Sequence, residues 1–332
     1  ALEGMARRSP VAADDFAKFD QLQTGKAVER IKSIMNDIHR DEVGDVSLGQ
    51  SAQRAFDKVW DNVVAQRRTQ AAKDFAEVTK LGGKEALIPV QATKQRLLDL
   101  AKEFDVPGGG DASAALAKQI KAAASDFGMM VSPDQMNRLL QIYGKAMAGK
   151  GTIFKDLDTA QQRYLAGQVH RALTADLDTA AANPLLGKAS EALKVARDNY
   201  AANSAKISEV GDSVVGRYFG NVGYERTPER VADTISKMKP TEIRATLGIL
   251  TRADPEIADK TARHFLERAL DASKPAVTQS AGGQVKFSAA KFLNALPDEN
   301  VQVALFGGKP AMGELKKVAN VLERVADQPM AG

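Results

Sequence analysis

The sequence predicts an all-α protein: an elongated, multi-helical chain with one long antiparallel helical hairpin and a C-terminal module of short helices. Three observations predict it. Apolar residues recur at spacings of three and four along most of the chain, the period of an amphipathic helix. Alanine, the best helix former, makes up about a sixth of the 332 residues, while aromatics supply only 5%. No segment alternates apolar and polar residues over more than four or five positions, as a half-buried strand would.

The first helix is predicted from about Pro10 to Asp41, with Phe16, Phe19, Leu22, Val28, Ile31, Ile34, Met35 and Ile38 as its apolar stripe. Gly44 ends it and Ser47 is the candidate cap of a second helix carrying Leu48, Ala52, Ala55, Phe56, Val59, Val63, Phe75 and Val78. Trp60, beside that stripe, reads as a packing anchor. Gly82-Gly83 breaks the pattern, and Ile88-Pro89-Val90 reads as an extended entry, because proline disfavours helical geometry in the residue before it. Leu97, Leu98, Leu100 and Phe104 form the next buried face. A hinge is expected near 105–111, at Pro107-Gly108-Gly109-Gly110, followed by an alanine-rich helix from Asp111 to Phe127. Ser132-Pro133-Asp134 is a helix start, a cap residue followed by proline at the first helical position. That helix is predicted to end in Gly149-Lys150-Gly151.

One continuous face is then expected from Phe154 through Leu157, Tyr164, Leu165, Val169, Leu173 and Leu177 to Ala180. After a turn at Asn183-Pro184, a second runs from Leu185 through Leu193, Tyr200 and Ile207 to Val214. Two long helices with a tight turn between them make an antiparallel hairpin. Beyond Gly220 the segments shorten. Thr227-Pro228-Glu229, Lys239-Pro240-Thr241, Asp254-Pro255-Glu256 and Pro297-Asp298-Glu299 are all helix starts, Ser273–Val285 reads as a loop, and the last helix covers Met312 to Ala326. The chain therefore divides into an N-terminal helical region (1–150), the hairpin (151–220) and the short-helix module (221–332).

Composition narrows the function. The formal net charge is +4, and 44% hydrophobic with 27% charged residues is ordinary for a globular protein. Basic and acidic side chains number 13 and 13 over residues 1–80, 12 and 11 over 81–183, and 21 and 18 over the remainder. A dedicated nucleic-acid binder concentrates its cations instead, so DNA contact is only weakly indicated. With no cysteine, disulfides, thiolate nucleophiles and zinc–thiolate sites are excluded. The start, Ala1-Leu2-Glu3-Gly4-Met5, lacks the apolar core of a signal peptide. No apolar run reaches the eighteen or so residues of a membrane span.

No catalytic constellation is legible, and no cofactor or metal is expected. Gly144-Lys145-Ala146-Met147-Ala148-Gly149-Lys150 matches the first seven positions of a phosphate-binding P-loop. Position eight, however, is Gly151, and the segment continues a helix rather than following a strand; a helix C-terminus explains the same residues. His39, His170 and His264 lie far apart, each on a helical stretch without a metal-ligand neighbour, and read as surface or helix-face residues. Arg7-Arg8 and Arg67-Arg68 sit among acids and read as solvated. The pairs Asp156/Asp158 and Asp176/Asp178 are spaced i, i+2, which points them to different sides of a helix. Glu191 and Glu209 lack the following serine of the Glu-Ser pair found in phage-associated peptidoglycan hydrolases.

The order of segments resembles the large internal virion proteins of podovirus-like tailed phages and prophages, the ejection or DNA-transfer proteins. The likeness lies in Ser47-Leu48-Gly49-Gln50-Ser51-Ala52, in Ile88-Pro89-Val90 before a leucine helix, and in Arg171-Ala172-Leu173-Thr174-Ala175-Asp176-Leu177-Asp178. It continues in Thr227-Pro228-Glu229-Arg230-Val231-Ala232 with Lys239-Pro240-Thr241-Glu242-Ile243-Arg244, and in Phe287 to Leu296 leading to Leu305-Phe306-Gly307. It would cover most of the chain and carries no catalytic residues. It implies a non-enzymatic structural protein of the virion, made in the bacterial host cytoplasm and leaving the particle with the genome. The partners it implies are portal, tail or ejection components and further copies of the chain. A helical protein-binding adaptor or effector is the alternative. A membrane-surface protein is a weaker one, since its lysine-flanked, bulky apolar helix face is not seen here.

Overall fold

A computed structural model describes residues 10–83, 86–106, 110–147, 149, 151–154, 157–220, 227–274, 287–307 and 309–326. Over these residues the chain is all-α. The helices are α1 (Pro10–Ile38), α2 (Asp45–Gly82), α3 (Gln91–Phe104), α4 (Gly110–Asp126), α5 (Pro133–Met147), α6 (Thr159–Ala181), α7 (Lys188–Gly211) and α8 (Val214–Gly220). They continue as α9 (Pro228–Ser236), α10 (Pro240–Leu250), α11 (Ile257–Ala272), α12 (Ala289–Ala295), α13 (Glu299–Phe306) and α14 (Pro310–Ala326). Two short strands, β1 (Ile88–Pro89) and β2 (Met130–Val131), pair antiparallel with Ile88 opposite Val131. The extended entry at Ile88–Val90 was expected; its partner strand was not, because two residues are too few to show a period. Pro107, Gly108 and Gly109 of the expected hinge, and most of the expected 273–285 loop, lie outside the described residues.

Many helix boundaries follow local chemistry. Ser132 and Gln135 cap α5 reciprocally: the Gln135 N–H donates to Ser132 Oγ at 3.2 Å and the Ser132 N–H to Gln135 Oε1 at 2.8 Å. This closes two of the N–H groups that a helix start leaves open. Asp158 and Gln161 do the same for α6. Asp298 accepts from the Val301 N–H at 3.0 Å at the start of α13.

The hairpin is present with shorter arms than expected. Asn183 Oδ1 accepts from the Leu185 N–H at 3.0 Å, and Gly187, at φ 51°, turns the chain into α7. Three pairs then step along the two helices in opposite directions: Ser190 Oγ with the Ala181 carbonyl, Arg197 with Asp178, and Tyr200 with His170. α6 starts at Thr159, so Phe154 and Leu157 precede it. Phe154 is nevertheless buried, because Gln162 Oε1 accepts from the Ile153 and Phe154 N–H groups while its Nε2 donates to the Phe154 carbonyl. Leu185 does not join the buried face of α7; it is 91% exposed on the turn. Val214 belongs to α8, because Ser213 separates the helices. Its Oγ donates to the Val210 carbonyl at 2.6 Å and accepts from the Gly216 N–H at 2.9 Å, ending one helix and capping the next.

The residues group into two compact units that are not the three consecutive segments expected. One comprises residues 1–59 and 210–332, the other 60–209. The chain passes between them twice, within α2 and within α7. Sequence proximity misleads here because one long helix carries apolar residues for two cores. In the first unit, Ile31 and Ile34 of α1, Leu48 of α2, Leu250 of α10, Leu266 of α11, Phe292 of α12, Phe306 of α13 and Leu322 of α14 are buried. In the second, Phe75 and Val78 of α2 share a core with Ile88, Leu97, Ile120, Leu140, Val169 and Leu193.

Candidate functional site

Among the described residues, three clusters of polar side chains join separate segments most closely, two in the unit of residues 60–209 and one in the other. The first joins α2, α5, α6 and α7. His170 Nε2 lies 2.8 Å from the Tyr200 hydroxyl, which is in turn 3.4 Å from the Leu140 carbonyl oxygen. The Arg67 guanidinium carbon lies 5.5 Å from the Tyr200 ring centre, a cation–π contact. Gly144 provides the room: a Cβ there would touch Arg67, Tyr200 and His170 at 3.7–3.8 Å. Burial, and secondarily the Arg67 charge, lower the His170 pKa to about 4. Burial raises that of Tyr200, against Arg67, and pushes Tyr143 up to about 12. At neutral pH the cluster thus holds a neutral imidazole and a protonated phenol, hydrogen-bonding groups that tie helices together.

Asp176 makes the second. Buried at 5% exposure, it accepts from the Ala92 N–H at 2.9 Å, the Thr93 N–H at 2.8 Å and Thr93 Oγ1 at 2.6 Å. The residue before α3, Val90, has no acceptor in its side chain, so α6 supplies the cap that α3 lacks. A carboxylate there also meets the positive end of the helix dipole. Asp178 points elsewhere, towards Arg197 at 3.7 Å, as its i, i+2 spacing requires.

The third lies on α11. Arg263, 5% exposed, donates from Nε to Glu267 Oε1 at 2.6 Å and from Nη1 to Asn36 Oδ1 at 3.0 Å, and also reaches the His39 and Arg40 carbonyls. Glu267 accepts from the Val43 N–H at 3.0 Å. His264 Nδ1 lies 2.7 Å from the Val43 carbonyl oxygen, which fixes the proton on Nδ1 because a carbonyl can only accept. Its Nε2 comes within 3.1 Å of Asp45 Oδ1 without the alignment of a hydrogen bond. Three side chains within five residues of α11 thus grip the segment joining α1 to α2. Beside them is a cavity of about 560 Å³ lined by Lys32, Met35, Asn36, Glu42, Gly44, Arg263, Glu267, Leu270, Asp271 and Lys274.

The remaining sequence candidates disperse. Gly144 to Met147 close α5, and Gly149, at φ 73°, donates its N–H to the Ala146 carbonyl, a helix end as expected. His39 Nδ1 faces the Asp41 carbonyl at 3.1 Å. His264, expected on a surface or helix face, is 2% exposed. Arg68 and Glu191 are exposed; Arg7, Arg8, Lys150 and Asp156 lie outside the described residues. The α11 grip and the Asp176 cap were missed. The one local signal was Arg263 and Glu267 at i, i+4.

Among the described residues, no group of three or more His, Cys, Asp or Glu could hold a metal ion, and no helix is long and apolar enough to cross a membrane. No family model, curated protein or solved structure matches this chain.

Proposed function

We propose that the chain is a non-enzymatic structural protein of a tailed-phage particle, an internal virion protein that assists genome delivery. The observation that carries this reading is the use to which its chemically capable side chains are put. His170 is engaged with Tyr200, His264 with Val43, Asp176 with the start of α3, and Arg263 with Glu267 and two backbone carbonyls. Each joins one helix to another or to a connecting segment. Such groups serve assembly and shape, in keeping with the segment order described above. The partners in this reading are portal, tail or ejection components and further copies of the chain. Mass spectrometry of purified virions tests it: the chain is expected among the particle proteins, and its absence would sink the proposal.

One observation favours an adaptor instead. Met129 and Met130 are 57% and 52% exposed, and Met130 lines a groove with Phe127, Val131, Leu139, Asp126 and Arg138. Methionine oxidation footprinting in host extract, compared with the purified protein, reads whether this face is covered. Equal oxidation in both removes the adaptor reading.

A further inference from the structure

The cavity between α1, the 39–45 segment and α11 has unused hydrogen-bond donors on two cations. Arg263 is buried, and its Nε and Nη1 are consumed by Glu267, Asn36 and two carbonyls, but its Nη2 makes no hydrogen bond among the described residues. Lys32, exposed on α1 one turn before Asn36, lines the same cavity without an ion-pair partner among the described residues. Two of the three lining carboxylates are already taken. Glu267 is held by Arg263 and Val43, and Asp271 pairs with Lys274 at 2.6 Å. Glu42, exposed, is the third. Met35, 4% exposed, and Leu270 supply apolar wall.

From this we infer that the cavity is a binding site for an organic carboxylate on an aliphatic body. One carboxylate oxygen meets Arg263 Nη2 and the other Lys32, while the hydrocarbon lies between Met35 and Leu270. A guanidinium already fixed by its other nitrogens is pre-organised, so little side-chain entropy is lost when the remaining N–H groups are used. Charge-assisted bonds of this type exceed neutral ones in strength, and the partly enclosed setting reduces their screening. Glu42 on the cavity wall repels further negative charge, so the site selects monocarboxylates over dicarboxylates. A free fatty or keto acid and the C-terminus of a peptide share this chemistry.

The test is a titration of the full chain, followed by amide NMR at Gly44, Leu270 and Asp271, with hexanoate, its neutral isostere hexanamide, glutarate, and N-acetyl-Ala-Leu as free acid and as amide. Saturable shifts are expected with hexanoate, at least about tenfold weaker binding for hexanamide, the equivalent of one charge-assisted hydrogen bond, and weaker binding for glutarate. Lys32→Glu, at an exposed position, is expected to lower hexanoate affinity by about tenfold without changing the thermal midpoint. Lys32→Arg is expected to retain the affinity, and Leu270→Trp to abolish binding by filling the cavity. If the dipeptide acid binds more tightly than hexanoate and its amide does not, the natural source is a chain terminus; the reverse order assigns a free acid. Equal binding of hexanoate and hexanamide, shifts reproduced by the same concentration of chloride, or an unchanged affinity in Lys32→Glu would each overturn the inference.

Discussion

His170 on α6 and Tyr200 on α7 face each other across the helical hairpin, with Nε2 and the hydroxyl oxygen 2.8 Å apart and the rings 5.9 Å apart at 30°. The pair is the last of the three rungs that begin at Ser190 and Ala181, and Arg67 from α2 closes it from the tyrosine side. A titratable residue has therefore been placed where only its neutral form fits. Protonation would set a buried imidazolium beside a guanidinium.

This placement makes the hairpin sensitive to acid. The His170 pKa is lowered from 6.5 to about 4, by burial first and by Arg67 second. The folded value lies below the unfolded one, so between them the unfolded chain binds the extra proton and stability rises with pH. The contribution is complete above about pH 6.5 and is lost as pH falls towards 4. Its full size is on the order of 3 kcal/mol. His170→Gln keeps a donor for Tyr200 but cannot titrate. Urea midpoints of the two proteins, compared between pH 7 and pH 4, are expected to converge as the pH falls; parallel profiles would exclude the effect.

The elements legible beforehand were those whose chemistry is local. Ser132 with Gln135 and Asn183 with Leu185 bond across two or three residues, so a cap or turn could be read from a short string. The elements that were not legible depend on distant partners. Asp176 meets Thr93 across 83 residues, and His264 meets Val43 across 221. A helical period shows that a face is buried, not which helix buries it. Asp176 and His264 were therefore read as ordinary helix residues, and α2 and α7 as parts of single segments, although each serves two cores. Leu185 failed for the opposite reason: its apolar character extended the stripe into a turn whose geometry Asn183 and Gly187 dictate.

Asp176→Ala removes the side-chain cap of α3 and leaves the buried Thr93 N–H and hydroxyl without their acceptor. A loss of about 3 kcal/mol is expected, within the range for stranding buried polar groups. Asp176→Asn keeps one acceptor and is expected to lose about half as much. Hydrogen exchange at Ala92 and Thr93 should accelerate in the same order. A uniform acceleration over the whole unit would point to general loosening instead of a lost cap.

Two helical glycines differ in what surrounds them. A Cβ at Gly49 on α2 would collide with the Pro228 carbonyl oxygen of α9, a backbone atom that cannot turn aside; nothing lies within 4 Å of one at Gly25 on α1. Gly49→Ala is expected to cost about 2 kcal/mol through forced separation of the two backbones. Gly25→Ala should raise stability by up to about 1 kcal/mol, because alanine loses less backbone entropy in a helix. Thermal denaturation of the two variants is expected to shift in opposite directions. A stabilised Gly49→Ala would mean that the two helices are not in contact there.

Arg263 tests how tightly α11 holds the 39–45 segment. Arg263→Met leaves Glu267, 16% exposed, without its cation and the His39 and Arg40 carbonyls without a donor. Breaking one side of a buried pair typically costs about 3–5 kcal/mol, because the remaining charge is uncompensated. Glu267→Met strands the Arg263 guanidinium and frees the Val43 N–H, at similar cost. The double variant removes both charges together, so its loss should fall short of the sum of the singles by about 1–3 kcal/mol. The two contributions can be told apart by location. Loss of the charge pair lowers the global unfolding midpoint, whereas loss of the grip raises hydrogen exchange at Val43 before the α11 amides respond. An additive double variant with an unchanged Val43 rate would show that the segment is held by His264 without help from this pair.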